Sequence, residues 1–327
     1  MNNIAVIGLG NIASRHRRNL KFLFPDAKIY AMSASGRIPA ENISDCDKLV
    51  TSIDELILED VQFVIIASPA TFHSLHAIPL IKENIPVLIE KPVTSTLKDA
   101  KKLQEIADKY STPIAVGYCL RYLTSAQAIK KIIEAQQIGS LSYVNIEIGQ
   151  YLPDWRPDKD YRSCVSANSK LGGGALLELS HEIDYTQWLL GTLHLQYAIL
   201  QCSEQLNLDV EDNVNILATT SDNTIVNIHL DFLQRKAYRH CRFVGTTGSL
   251  EWDLIKNEII LTTQNQITTL YSEPEWDKNN MYLKMLLDFI EKINGRKNQS
   301  VTLSESIKTI QFIENIKKNH PITMISK

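Results

Sequence analysis

The chain has 327 residues, with 34 Lys and Arg against 37 Asp and Glu and a pI near 6.3. That length allows two domains, each with its own core, and the nearly balanced charge leaves no basic surface for nucleic acid. No apolar run approaches a membrane span, no signal-peptide pattern opens the chain, and five scattered cysteines (Cys46, Cys119, Cys164, Cys202, Cys241) argue against a disulfide framework or a metal knuckle, so a soluble cytoplasmic protein without metal is expected.

Ile4-Ala5-Val6-Ile7 is a continuous apolar strand that runs into Gly8-Leu9-Gly10-Asn11-Ile12-Ala13. This is a GxGxxA form of the dinucleotide fingerprint: Gly8 permits the tight turn, Gly10 lets the backbone approach a pyrophosphate, and Ala13 lets the next helix pack closely. The helix is predicted over Ala13 to Phe24, with amides at Asn11 and Ile12 facing the phosphates. The second strand, Lys28 to Met32, leads to Ser33-Ala34-Ser35-Gly36-Arg37, with no carboxylate before Glu41. A ribose 2′-hydroxyl is usually met there by an acid, whereas Ser33, Ser35 and Arg37 suit a 2′-phosphate. NADP is therefore expected in preference to NAD, with use of both left open.

Lys48 to Val50 reads as a short strand, and Ser52 with Glu55 as a capping box. The buried strand Gln62 to Ala67 ends in Ser68-Pro69-Ala70-Thr71-Phe72-His73, a loop expected near the nicotinamide ribose. A helix from His73 to Lys82 precedes Pro86-Val87-Leu88-Ile89-Glu90-Lys91-Pro92. Ligands of open parallel sheets bind beyond the carboxyl ends of the strands, so Lys91 is expected to point into a cleft. Its bond to Pro92 is a candidate for the cis form. A solvated surface turn is the alternative. Thr96 is expected to cap a helix from Leu97 to Tyr110, and Thr112 to Tyr118 forms another strand. Strand-helix units of this length predict a doubly wound parallel α/β domain over residues 1–118.

From residue 119 to 327 the pattern changes to an α+β domain for substrate binding and oligomerisation. A helix from Leu123 to Gln136 is followed by strands at 142–148, 196–201, 213–219, 224–231, 239–244, 249–252 and 258–262, with hairpin signals at Ser221-Asp222-Asn223, Thr246-Thr247-Gly248 and Lys256-Asn257. A large, open, mainly antiparallel sheet results, and helices at 280–293 and 304–319 close the chain. The irregular loop from Tyr151 to Arg162 carries Trp155-Arg156 and Tyr161-Arg162, suited to walling a polar ligand, or else to an interface between subunits. Gly172-Gly173-Gly174 lets the backbone pass close to something and opens a helix expected to run through Leu190. Glu178, His181 and Tyr185 then share one face, as do His181 and Asp184. His181 has the unperturbed pKa for proton transfer near neutrality, with Glu178 or Asp184 able to orient it. A satisfied structural histidine is the alternative, and no third metal ligand is evident nearby.

These residues together resemble the Gfo/Idh/MocA family, named for glucose-fructose oxidoreductase and inositol dehydrogenase. The resemblance covers nearly the whole chain and rests on Gly8-x-Gly10-x-x-Ala13, Pro69 with His73, Glu90-Lys91-Pro92, Gly117-Tyr118-x-x-Arg121-Tyr122, and the triple glycine leading to His181 and Asp184. It implies an N-terminal Rossmann domain and hydride transfer between NADP(H) or NAD(H) and a carbinol or carbonyl carbon of a sugar, nucleotide sugar or cyclitol. Lys91 is implied to act on the reacting oxygen and His181 as proton acceptor. Relatives usually carry an aspartate four residues before that histidine; here the acid is Glu178, three before. The tracts Glu178 to Tyr185 and Leu230 to Arg235 resemble a subgroup of surface-polysaccharide or amino-sugar biosynthesis. The cofactor contacts are expected at Gly8, Gly10, Asn11, Ile12, Ser33, Ser35, Arg37, Ser68, Pro69, His73, Glu90 and Lys91. Substrate contacts are expected at Tyr118, Arg121, Trp155, Arg156, Tyr161, Arg162, Asp184 and Arg235. A homodimer or homotetramer through the open sheet face is expected, with no nucleic-acid or membrane partner. The rival function is a non-catalytic cofactor-sensing protein on the same fold.

Overall fold

The computed structural model describes residues 1–40 and 42–325, so Glu41, which bounds the acid-free loop after the second strand, lies outside the described residues. Apolar runs too short for helices form the first strands: β1 (Asn3–Ile7), with α1 (Asn11–Leu23), β2 (Lys28–Met32), β3 (Lys48–Val50), α2 (Ile53–Leu58), β4 (Phe63–Ile66), α3 (His73–Lys82), β5 (Val87–Ile89), α4 (Leu97–Ala107) and β6 (Ile114–Val116) following in order. All pair in parallel in the order β3-β2-β1-β4-β5-β6, the doubly wound arrangement that the alternation predicts. Ile4 to Ile7, Phe63 to Ile66 and Val87 to Ile89 are essentially buried on both faces. The caps fall where expected: Ser52 Oγ accepts from the Glu55 amide and Thr96 Oγ1 from the Asp99 amide. The return contact at Ser52 is displaced by one residue, because Glu55 takes the amide of Thr51.

The chain continues as α5 (Thr124–Glu134), β7 (Leu141–Gly149), α6 (Ala175–Glu178), α7 (His181–Leu190), β8 (Leu193–Ser203), β9 (Asn213–Thr220), β10 (Ile225–Asp231), β11 (Tyr238–Gly245), β12 (Gly248–Asp253), β13 (Glu258–Thr263), β14 (Ile267–Ser272), α8 (Asn280–Ile293), α9 (Leu303–Asn319) and β15 (Ile322–Ile325). Among the described residues a nine-stranded sheet runs β14-β13-β12-β11-β7-β10-β9-β8-β15, antiparallel except for β7 with β10 and β8 with β15. Its inward residues alternate with polar outward ones, as in β7, where Val144, Ile146 and Ile148 are buried between Asn145 and Glu147.

Two compact units emerge. One comprises Met1–Cys119 with Asn279–Ile310, the other Leu120–Lys278 with Gln311–Lys327. Asn279–Ile310 is thus built into the first unit, although in sequence it follows the strands of the second. Within that unit Asn19 and Asn279 exchange amide hydrogen bonds (3.1 and 2.8 Å), Phe289 meets Phe63 edge to face at 5.8 Å, and the Val116 amide donates to the Val301 carbonyl. The expected single helix through Leu190 is corrected to two. After α6 the backbone tightens into three-residue hydrogen bonds (Ser180 to Leu177, Glu182 to Leu179). Residues 175–177 and 179–180 are all buried. The break takes Glu178 off the helix that begins at His181. Strands β14 and β15 were absent from the sequence pattern because both are largely exposed and lack alternation.

The second unit is centred on Trp252. It is fully buried, its Nε1 donates to Ser125 Oγ at 3.1 Å, and Tyr185 packs on it at 5.5 Å. Trp252→Ala should cost about 3–5 kcal/mol in denaturant unfolding, since it leaves a cavity and an orphaned Ser125 hydroxyl.

Candidate active site

In the first unit the expected cofactor residues gather at the carboxyl ends of β1, β2, β4 and β5. Gly8 turns with φ 121°, its amide donates to the Met32 carbonyl at 2.8 Å, and an added Cβ would lie 2.3 Å from the Ala67 carbonyl oxygen. A side chain there would separate β1 from β4, so glycine is a steric requirement. Gly10 differs: a Cβ at that position would meet nothing within 4 Å. It caps α1 without a side-chain hydrogen bond, and the first turn holds no acid. Backbone amides facing open space at the start of a 13-residue helix fit a pyrophosphate. Ala13 is fully buried, as close helix packing requires. Past β2, Ser33 Oγ donates to the Arg37 carbonyl at 2.8 Å, which holds the loop in a turn and leaves Ser35 and the Arg37 side chain exposed.

Ser68 is buried, its Oγ 3.0 Å from His76 Nδ1. His73, 1% exposed, sets its ring nitrogens against the carbonyl oxygens of Ser68 (2.8 Å) and Pro92 (3.0 Å). A neutral ring donates to only one of these two carbonyls, and it packs between the loop after β4 and the loop after β5, where the Lys91–Pro92 bond is cis. Burial holds the His73 imidazole below its ordinary range, against the opposing pull of the Ser68 carbonyl, the Glu90 charge and the Pro92 carbonyl. Glu90 is 6% exposed, and its Oε2 accepts from the Lys91 amide at 3.2 Å. Its Oε1 lies 2.6 Å from Nε2 of a fully buried His16 on α1. Lys91 is half-buried.

The sequence reading missed His16, which lay hidden in the basic tract Arg15-His16-Arg17-Arg18. Helical spacing from the buried Ala13 gives the signal: positions 16, 17 and 20 follow on the same face, and all three are buried. Arg17, also on that face, donates from Nε to the Ser44 carbonyl at 2.9 Å.

The second unit holds the other group. Two of the three glycines pass close to the chain itself: a Cβ on Gly173 would lie 2.4 Å from the Val165 carbonyl, and one on Gly174, at φ 103°, 2.5 Å from the buried Glu211 carboxylate. Glu211 in turn accepts from the Leu176 amide. Glu178 accepts from Ser166 Oγ at 2.8 Å. His181 opens α7 half-buried. Arg121 and Asp184 meet each other in a bidentate pair (Nε to Oδ2 2.9 Å, NH2 to Oδ1 2.7 Å) and are 7% and 1% exposed. Tyr118, at the end of the first unit's contiguous run, is fully buried. In the loop before the glycines, Trp155 packs edge to face on Phe232 at 5.4 Å and Arg235 lies over the Tyr151 ring at 3.7 Å. Tyr161 donates to the Leu206 carbonyl, the exposed Arg162 pairs with Asp160, and Arg156 is half-buried. Among the described residues no group of three or more His, Cys, Asp or Glu side chains is arranged to hold a metal, and no helix is long and apolar enough to cross a membrane.

A fingerprint turn on a 3-2-1-4-5-6 parallel sheet, followed by a second unit built on a nine-stranded sheet, has the architecture of a dinucleotide-binding protein with a second, sheet-based domain. Residues 2–118 match the model of the oxidoreductase family with NAD-binding Rossmann fold, and residues 126–251 match the GFO/IDH/MocA C-terminal domain. The chain belongs to the Gfo/Idh/MocA family. It is 25% identical over 329 residues to myo-inositol 2-dehydrogenase of Thermotoga maritima, covering 97% of this chain and 89% of that one. It is also 25% identical over 238 residues to glucose-6-phosphate 3-dehydrogenase of Bacillus subtilis, covering 70% and 67%. Levoglucosan dehydrogenase in complex with NADH has the same fold, with a TM-score of 0.82 at 18% identity over 98% of both chains.

One pH effect follows from the packing behind the cofactor loops. Burial, reinforced by neighbouring His73, pushes His76 from 6.5 down to about 4. The unfolded chain thus binds a proton that the folded protein does not between those values, and stability falls as pH drops through that window. His76→Gln should remove roughly 2–3 kcal/mol of the stability lost between pH 7 and pH 4.5, measured by urea unfolding at both.

Proposed function

We propose that the protein transfers a hydride between NADP(H), in preference to NAD(H), and a carbinol or carbonyl carbon of a sugar, nucleotide sugar or cyclitol. The observation that carries this is the Glu90-Lys91-Pro92 turn at the carboxyl end of β5, on the same sheet as the fingerprint turn. The sugar and cyclitol dehydrogenases among its relatives support the substrate class.

The bound nicotinamide supplies or accepts the hydride. Gly8, Gly10 and the first amides of α1, at Asn11 and Ile12, hold the pyrophosphate; Ser35 and Arg37 take the 2′-phosphate. A hydride leaves carbon only as the hydroxyl proton departs, so one group must accept that proton and a cation must stabilise the developing alkoxide. Lys91 serves the oxygen and His181 takes the proton. Glu178, held by Ser166, and Asp184, held by Arg121, are orienting groups. Trp155, Arg156, Tyr161, Arg162 and Arg235 offer rings and guanidinium groups to a polar ligand.

The outer face of the nine-stranded sheet exposes Tyr197, Ile199 and Leu217, which supports assembly into a homodimer or homotetramer through that face. All five cysteines are free, which supports a cytoplasmic, reducing setting.

Lys91→Ala and His181→Ala should each lower kcat by about 100- to 10,000-fold on the accepted substrate, with dinucleotide affinity kept. Dinucleotide binding without turnover on any panel of sugars, nucleotide sugars and cyclitols would instead make the protein a sensor. Arg37→Ala should weaken NADPH about tenfold in a fluorescence titration and leave NADH unchanged. Equal or tighter binding of NADH by the unmodified protein would remove the 2′-phosphate assignment.

A further inference from the structure

We propose that His16 is a positioning residue for Lys91, acting through Glu90; the inference rests on the reading that Lys91 serves the reacting oxygen. The His16 side chain is fully buried on α1 and that of Glu90 is 8% exposed at the end of β5, with 2.6 Å between Nε2 and Oε1. A carboxylate oxygen only accepts, so Nε2 donates, in the short range of charge-assisted hydrogen bonds. The other oxygen of the same carboxylate accepts from the Lys91 amide at 3.2 Å. Glu90 is therefore held at one oxygen by the fingerprint helix and itself holds, at the other, the peptide from which the Lys91 side chain departs.

The carboxylate fills the space that a side chain at position 117 would need: a Cβ on Gly117, at the end of the adjacent strand, would lie 3.0 Å from both Glu90 Cδ and Oε2. On the far side of Lys91, His73 Nδ1 lies 3.0 Å from the Pro92 carbonyl oxygen. A buried histidine ring thus packs on each side of the lysine, and that of His16 is the one that donates to Glu90.

His16 Nδ1 supplies a second, independent observation. Among the described residues it has no protein hydrogen-bond partner, so the ring's orientation is tied to the protein through Nε2 on Glu90. Packing alone, including the edge contact with Tyr282 at 6.1 Å, would be met equally well by an apolar ring. What the imidazole adds is Nε2 on Glu90. Without that donor Oε1 stays buried and unpaired, and the carboxylate must turn to another partner, taking the Lys91 amide with it.

His16→Phe preserves the ring and its packing but removes the donor, whereas His16→Gln returns an amide N–H at similar reach. The Phe variant should lose roughly 30-fold in kcat, with dinucleotide affinity within about threefold of the parent, as expected for misplacement of a reacting group. The Gln variant should recover to within about threefold of the parent. Acetylation of Lys91 by acetic anhydride in the dinucleotide-free protein gives a readout that needs no turnover, with exposed Lys98 and Lys101 as internal standards. Its rate relative to those lysines should change more than about threefold in the Phe variant and return in the Gln variant. If Lys91→Ala abolishes turnover while His16→Phe keeps kcat within about twofold, the lysine assignment stands and the positioning role is overturned. If Lys91→Ala leaves turnover intact, the lysine assignment fails. An unchanged acetylation rate in the Phe variant overturns the positioning role in either case.

Discussion

Burying a carboxylate at the mouth of a parallel sheet constrains everything around it. Glu90 can remain 6% exposed only because each oxygen has a donor, and those donors come from different parts of the first unit. His16 arrives on α1, so the helix that follows the fingerprint turn must lie at a fixed height against β5. That height is set in turn by Gly8, whose lack of a side chain lets the first turn touch the end of β4, and by the buried Ala13. Phosphate cradle and Glu-Lys-Pro turn are therefore parts of one packed object, and neither can shift by much without unpairing a buried charge.

The second unit solves a similar problem on α7. Glu182 and Asp184 are both buried there, each facing an arginine: Arg239 Nε donates to Glu182 at 2.7 Å, and Arg121 grips Asp184 with two hydrogen bonds. Breaking one side of such a pair costs far more than the intact pair contributes, which makes the helix hard to rotate. Burial beside these charges also pushes the Tyr185 hydroxyl and the Cys241 thiol above their ordinary ranges, so both stay neutral. His181 is the first residue of that helix.

Much of this was legible in the chain. Continuous apolar runs gave the parallel strands, and Ser52 and Thr96 marked their helices by cap chemistry. Asn223 and Asn257 stood where hairpins need a left-handed residue (φ 62° and 54°). What stayed hidden had no local signature. β14 and β15 bury too little to impose alternation, and return of the chain to the first unit at Asn279 depends on contacts such as Asn19 with Asn279 that lie 260 residues apart. The break at Leu179 and Ser180 has neither a proline nor a glycine to mark it in the sequence. Among the expected site residues, the pairing of Arg121 with Asp184 had no signature in the sequence, because 63 positions separate them.

The choice of histidine to hold Glu90 follows from what stands next to it. An arginine or lysine at position 16 would also satisfy the carboxylate, but it would bring a permanent positive charge to the residue adjoining Lys91 and repel the ammonium. It would also need room for a longer stem in a place where the His16 side chain is already fully buried. A glutamine or asparagine would donate without charge, yet with a freely rotating stem and no ring to pack beside Tyr282. Imidazole combines a stiff planar body, a directed N–H and no obligatory charge in a smaller ring than indole. The hydrogen bond from Nε2 to Glu90 is what the ring supplies that an apolar ring of the same shape would not.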